Sequence, residues 1–160
     1  MENTSLIIRP CSINDKEAWI ELNREFMAYE IQDADFWNNT ASNSYDRFSL
    51  TFDEALNHPE WITLLILEQE HQIMGFANLM TIYSVWSHGK ALILDDLYIK
   101  QEARGKGIGR VMMEYIETLG KEKGYKRLQF QSEDSNPDAH RFYTKLGYAS
   151  EAMKFYVKYL

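Results

Sequence analysis

One segment restricts the fold more than any other: Arg104-Gly105-Lys106-Gly107-Ile108-Gly109-Arg110. Glycine at every second position weakens helix and strand alike, because glycine loses the most backbone freedom on ordering. Yet Ala91 to Ile99, before it, is rich in strand-forming residues, and Val111, Met112, Tyr115, Ile116 and Leu119, after it, recur at helical spacing. The chain must turn here from strand into helix. Such a turn points backbone N–H groups at one spot, and the helix N-terminus adds partial positive charge. Lys100, Arg104, Lys106 and Arg110 add full charges. This chemistry calls for a phosphate, and a pyrophosphate suits it best. Two familiar phosphate motifs are excluded. A Walker A loop requires Gly-x-x-x-x-Gly-Lys-Ser/Thr, which is absent, and a Gly-x-Gly-x-x-Gly fingerprint counted from Gly105 would end on Arg110. The pattern that fits is Arg-x-x-Gly-x-Gly.

The remaining patterning places this turn late in a mixed sheet. Leu6 to Arg9 reads as a short strand. Asn14 and Glu17 suggest a helix start, with Trp19, Leu22, Phe26 and Tyr29 on one face of a helix from about Asp15 to Glu30. Asp33 to Leu50 reads as loop plus a short helix, and Thr51 with Glu54 as a further helix start. Trp61 to Glu68 and a segment ending near Val85 read as strands joined by a polar turn, followed by the strand Ala91 to Ile99. After the glycine turn and its helix come a strand at Arg127 to Gln131, a helix opened by Asn136-Pro137 and closed at Gly147, and a last strand at Lys154 to Leu160. Early hairpins and late βαβ crossovers predict an α/β fold: a mixed, mostly antiparallel sheet with helices on both faces. Pro10, Pro59 and Pro137 are the only prolines, and no linker or repeat interrupts the 160 residues, so a single domain spanning 1–160 is expected.

Composition and charge narrow the function. With 45% hydrophobic and 26% charged residues the chain is globular rather than disordered. No apolar run approaches the roughly 20 residues a membrane helix needs, and the polar start differs from a signal peptide. The single Cys11 excludes an internal disulfide framework and points to a reducing, cytoplasmic compartment. His58, His71, His88 and His140 lack metal-ligand spacing, so no metal is expected. The net charge of −7 argues against nucleic acid as a general partner. That charge is unevenly spread. Up to Asp96 there are 5 basic and 16 acidic residues, and from Leu97 onward 12 basic and 8 acidic. Either these are solvated helix faces, or the domain is polarised, with a cation site early and an anion site late.

The strand LDDLYI, the turn RGKGIG and the segment SNPDAHRFYTKLGY, together with the opening IIRP strand and the DKEAWIELNREFMAYE helix, resemble the GCN5-related N-acetyltransferase (GNAT) superfamily over nearly the whole chain. Trp86 before LDDLYI and the closing KFYVKYL are similar to its histone and polyamine acetyltransferase-like branch. The resemblance implies acetyl-CoA as cofactor and a sheet that splays beside the glycine turn. It assigns the pantetheine arm to the backbone of Leu97, Tyr98 and Ile99. The pyrophosphate falls to the backbone of Arg104, Gly105, Lys106, Gly107, Ile108, Gly109 and Arg110, with Arg104 and Lys106 side chains as further candidates. Asn136 matches a residue bonded to the cofactor arm, and equally suits a helix N-cap. Tyr143 matches the tyrosine that protonates the departing thiolate. Phe142 fits either the core or a cofactor contact.

Transfer requires a neutral amine, and an alkylamine of pKa about 10.4 is only about one part in a thousand neutral at pH 7. Asp95 and Asp96, an acidic pair also present in the resembled polyamine enzymes, are the candidate bases. Successive strand residues face opposite ways, so both reach the site only if a bulge turns one round. For the acceptor, Tyr29, Glu30, Trp37, Tyr83 and Trp86 are the candidates, with Glu21, Glu25, Asp33 and Asp35 adding negative charge. Carboxylates with aromatic faces suit an alkylammonium group. No Gly-x-Ser-x-Gly elbow is present, which favours direct transfer over an acyl-enzyme. The reading that results is N-acetylation of a small, cationic, polyamine-like primary amine by a homodimer. A lysine acetyltransferase and a non-catalytic CoA-binding module are the competing readings.

Overall fold

The computed structural model describes residues 6–31, 35–37 and 43–160. The chain divides into two compact units, Met1–Phe130 and Gln131–Leu160. The first contains a five-stranded sheet in the order β1-β2-β3-β4-β5. Its strands are β1 (Leu6–Pro10), β2 (Ile62–Gln69), β3 (Gln72–Ser84), β4 (Gly89–Ile99) and β5 (Arg127–Gln129). The first four pair antiparallel, and β5 joins β4 in parallel. The helices are α1 (Lys16–Tyr29), α2 (Tyr45–Asn57) and α3 (Ile108–Glu122).

Leu64 to Leu67 on β2 are all buried, which explains why this strand reads as a continuous apolar run rather than an alternating one. Trp19, Ile20 and Leu22 of α1 pack with Phe52 and Ala55 of α2, Leu64, Phe76 and Tyr98. Trp19 meets Phe48 and Phe52 with ring centroids 5.7 and 5.4 Å apart, in edge-on and tilted arrangements. On α3, Met112, Met113 and Ile116 are fully buried.

Several sequence expectations are corrected. Asn14 does not cap α1. A 3-10 turn, Ile13–Asp15, leads into the helix, and there the Asp15 carboxylate accepts from the Ser12 N–H at 2.6 Å and Oγ at 2.9 Å. Thr51 does not start a helix but sits inside α2, its hydroxyl donating to the Arg47 carbonyl four residues back. Lys154 to Leu160, expected as a last strand, forms no ladder among the described residues and is exposed, because alternation alone does not supply a pairing partner. Asp33 lies outside the described residues.

Asp15 also anchors β1. Arg9 holds it with two hydrogen bonds, of 2.8 and 3.0 Å, and reaches Glu68 on β2. The guanidinium bonds, opposed by burial and helped by Ser12, lower the Asp15 carboxyl to about 2. Its contribution to stability is complete above the ordinary carboxylate range near pH 4 and is lost as pH falls toward 2. Asp15→Ala should therefore cost about 1.5–3 kcal/mol at pH 7, the usual worth of hydrogen bonds to a charged group, and much less at pH 2. Urea unfolding at both pH values measures this, and an equal loss at both would remove the charge from the account.

Candidate active site

The site grows from an irregularity in β4. Asn78 faces Asp96 across the β3–β4 ladder, but the next pair is Leu79 with Leu94, so Asp95 is an extra, bulged residue. Leu92 and Tyr98 are an even number of residues apart and would share one face of a regular strand. Instead Leu92 lies against α3 at Gly120, while Tyr98 packs on Phe26 of α1, ring centroids 5.8 Å apart. The bulge has turned the strand over between them. It also coincides with a splay. The parallel pairing with β5 covers only Ala91 to Ile93, leaving residues 94–99 with no β5 partner. The backbone of Leu97, Tyr98 and Ile99 thus offers hydrogen-bonding groups along an open edge, while their side chains are half-buried or buried.

Beyond β4 the chain makes one 3-10 turn, Gln101–Ala103, and enters the glycine segment. Gly105 and Gly107 have φ of 77° and 76°, the left-handed region that side chains disfavour. A Cβ at either would meet nothing within 4 Å, so conformation rather than space demands glycine. Gly107 is the N-cap of α3, and no side chain caps that end. The first-turn N–H groups therefore remain available to an anion.

The charged side chains divide in a way the sequence did not show. Arg104 turns away from the helix end. Its Nε donates to the Ile99 carbonyl at 2.8 Å, its Nη2 pairs with Glu30 at 2.8 Å, and its guanidinium lies 5.5 Å from the Tyr98 ring centre. The expectation that this side chain reaches phosphate is thus replaced by a tie between the glycine turn and the end of α1. Arg110 pairs with Glu114 one turn on. Lys100 and Lys106 have no ion-pair partner among the described residues, and Lys106 is exposed, so these two are the cations left for a phosphate.

At the bulge, Asp95 is exposed and Asp96 half-buried. Burial, with the negative charge of Asp95 beside it, pushes the Asp96 carboxyl up to about 6 against the lowering effect of an Asn78 N–H. Desolvation moves Asp95 in the same direction. Both carboxyls thus hold a proton more readily than a free aspartate, Asp95 through burial alone and Asp96 through burial and the charge beside it.

The acceptor candidates are not gathered into one place. Glu30 is taken by Arg104 near Ile99, and Glu25 accepts from the Tyr98 hydroxyl at 2.6 Å. Tyr29 is exposed at the end of α1. Trp37 stacks edge-on against Phe36 in a turn. Tyr83 and Trp86 are exposed at the β3–β4 hairpin tip. In the ladder Gly75 opposes Ile99 and Ser84 opposes Gly89, so Glu30 and the hairpin tip lie at opposite ends of this ribbon, about 30 Å apart at ~3.3 Å per residue.

In the second unit, α4 (Pro137–Lys145) begins as expected: Asn136 Oδ1 accepts from the Ala139 N–H at 3.1 Å. Asn136 is therefore a helix cap through its oxygen, and its Nδ2 carries the donors of the amide. The rings of Phe142 and Tyr143 meet edge-on at 5.0 Å, and Tyr143 and Tyr148 at 6.1 Å. Burial pushes the Tyr143 phenol up to about 12.

An open strand edge of amides leading into an uncapped helix end with a left-handed glycine turn fits an extended thiol arm ending in a pyrophosphate. These features define a CoA-dependent acyltransferase. A family model described as "Acetyltransferase (GNAT) family" matches residues 17–148, and the chain belongs to that family as an acetyl-CoA-dependent N-acetyltransferase. It is 24% identical over 155 residues to the D-amino-acid N-acetyltransferase HPA3 of Saccharomyces cerevisiae, covering 97% of this chain and 92% of that protein. It is 32% identical over 75 residues to the thialysine N-epsilon-acetyltransferase of Sus scrofa, covering 47% of this chain and 44% of that one. Among solved structures, an aminoglycoside N-acetyltransferase, AAC(6')-Iy, in complex with CoA superposes with a TM-score of 0.78 at 16% identity, over 98% of this chain and 97% of that one.

Proposed function

We propose that this enzyme acetylates the primary amine of a small, cationic, polyamine-like acceptor by direct transfer. The observation that carries this is the Asp95–Asp96 pair at the bulge, beside the open edge of β4. Two adjacent carboxyls attract a multiply charged amine and can remove its proton. The thialysine and D-amino-acid enzymes it resembles are named for small amine substrates.

Bound acetyl-CoA supplies a thioester-activated acetyl group. In this scheme the β4 edge at Leu97, Tyr98 and Ile99 and the backbone of residues 104–110 hold it, with Asn136 Nδ2 and the Phe142 ring as further contacts. A backbone N–H of the open edge would supply the donor that stabilises negative charge on an acyl oxygen held there. Asp96 accepts the amine proton at its carboxylate, and Asp95 raises the proton affinity of that carboxylate. Tyr143 donates its hydroxyl hydrogen bond to the departing sulfur. The two units act as one catalytic domain, 1–160, in a cytoplasmic homodimer that engages neither nucleic acid nor membrane. Among the described residues, no helix is long and apolar enough to cross a membrane.

Thiol release from acetyl-CoA over a panel of polyamines, lysine peptides, aminoglycosides and D-amino acids tests the reading. Polyamines should give the highest kcat/KM. A preference for peptides would make the protein a lysine acetyltransferase, and acetyl-CoA binding without turnover would make it a binding module. Tyr143→Phe sharpens the mechanism. A phenol at about 12 is a weaker acid than an ordinary thiol near 8.5, so its contribution is a hydrogen bond rather than a completed proton transfer. Such a bond to a charged sulfur is worth about 1.5–3 kcal/mol. The substitution should lower kcat about 10- to 100-fold with acetyl-CoA affinity unchanged, and stopped-flow measurement of a single turnover would show it. An undiminished rate removes Tyr143 from the chemistry.

A further inference from the structure

Three side chains of α1 and β3, those of Trp19, Asn23 and Asn78, meet behind the bulge. We infer that Asn78 is a positioning residue for the proton-accepting carboxylate of Asp96, held in one orientation by Trp19 and Asn23. The inference rests on Asp96 being the base proposed above.

The argument starts from the indole. The Trp19 Nε1–H can only donate. It lies 2.9 Å from Asn78 Oδ1, which settles how the amide is turned, since the alternative would set two donors against each other. Asn78 Nδ2 must then face the other way. It gives one hydrogen to Asn23 Oδ1 and the other to Asp96 Oδ2, each at 2.8 Å. Asn23 is fixed in turn, its Nδ2 donating to the Trp19 carbonyl at 2.7 Å. Both amides are buried, and each of their four polar atoms has a partner, so neither can rotate without stranding one.

For Asp96 the consequences are geometric and electrostatic. Oδ2 is held, and no group among the described residues donates to Oδ1, which is therefore the oxygen presented to an amine. An N–H that donates to a carboxylate favours its ionised form. Asn78 thus opposes burial and the charge of Asp95, the other carboxyl beside Asp96. What α1 and β3 set against Asp96 here are neutral amides and an indole, and Glu25 of α1 is engaged by Tyr98. Asp95 and Asn78 consequently tune one carboxyl in opposite directions, within reach of neutral pH.

The test follows the Asp96 carboxyl by NMR in aspartate-13C-labelled protein through a pH titration, with no substrate present, and compares kcat/KM against pH. Asn78→Leu, close in volume, should raise the Asp96 midpoint by about one pH unit, the effect of one charge-assisted bond. It should also lower kcat about tenfold while the Kd for acetyl-CoA stays within twofold. Trp19→Phe keeps an aromatic ring in the core and removes the N–H that orients the amide, together with part of the ring packed on Phe48 and Phe52. It should move the midpoint the same way by less, and it carries the test if Asn78→Leu does not fold. Asp95→Asn should move the midpoint down, which separates tuning from general disturbance. A midpoint that is unmoved or lowered in both the Asn78 and Trp19 variants overturns the inference. Full turnover in Asp96→Asn would instead overturn Asp96 as the base, while the midpoint shifts still report whether Asn78 positions it.

Discussion

Gly107→Asp is expected to weaken acetyl-CoA binding about 100-fold or more. Two costs combine. At φ of 76° the residue is left-handed, which costs a residue with a Cβ roughly 1–2 kcal/mol. The new carboxylate would also stand at the uncapped N-terminus of α3, the place proposed for the pyrophosphate. Like charges about 4 Å apart repel by roughly 1–4 kcal/mol between water and a surface-like dielectric. Together these come to roughly 2–6 kcal/mol, a range around the ~2.8 kcal/mol that corresponds to 100-fold in Kd. Gly107→Asn separates them. Asparagine tolerates the left-handed region better than most residues and carries no charge, so it should lose about tenfold or less. Calorimetric titration with acetyl-CoA decides. Near-normal affinity in the aspartate variant would take the pyrophosphate away from this turn.

Asp96→Asn should reduce kcat/KM by about 10²–10³, the usual range for one acid–base group, with the Kd for acetyl-CoA unchanged. The pH profile is the sharper readout. A carboxyl at about 6 accepts a proton only when ionised, so the titration of Asp96 should leave the wild-type rate level above pH 7 and lower it about tenfold per unit below about 6. In Asp96→Asn that acid limb should vanish. In Asp95→Asn it should persist and move to lower pH, because the neighbouring negative charge is gone. If the limb disappears with Asp95 rather than Asp96, the two carboxyls exchange roles. The steady-state rate from pH 5 to 9 at saturating acetyl-CoA checks both variants.

Much of the site was legible because its signals are local. A glycine turn between strand and helix, an Asn-Pro helix start and an amphipathic stripe are all set by residues a few positions apart, and each has the form expected. Asn78 was missed although it carried a signal, as a polar side chain amid the apolar residues Phe76, Ala77, Leu79 and Met80. A buried amide in such a strand needs partners, but nothing in the pattern names them. The acidic pair was recognised as a pair and could not be divided. The aromatic closing segment alternates as a strand would but forms no ladder among the described residues, because alternation alone does not supply a pairing partner.

The amino-acid sequence by itself determined the class of chemistry: a phosphate cradle after a strand, a candidate proton donor on a late helix, and two carboxyls just ahead of the turn. Only the tertiary structure decided which groups act on which. The one-residue slip between Asn78–Asp96 and Leu79–Leu94 separates Asp95 from Asp96. Trp19 reaches Asn78 across 59 positions of chain, and Arg104 reaches Glu30 across 74. Hydrogen bonds of this length depend on strand register and helix placement. Those are settled by burial of the whole core, and the order of residues near either partner does not contain them.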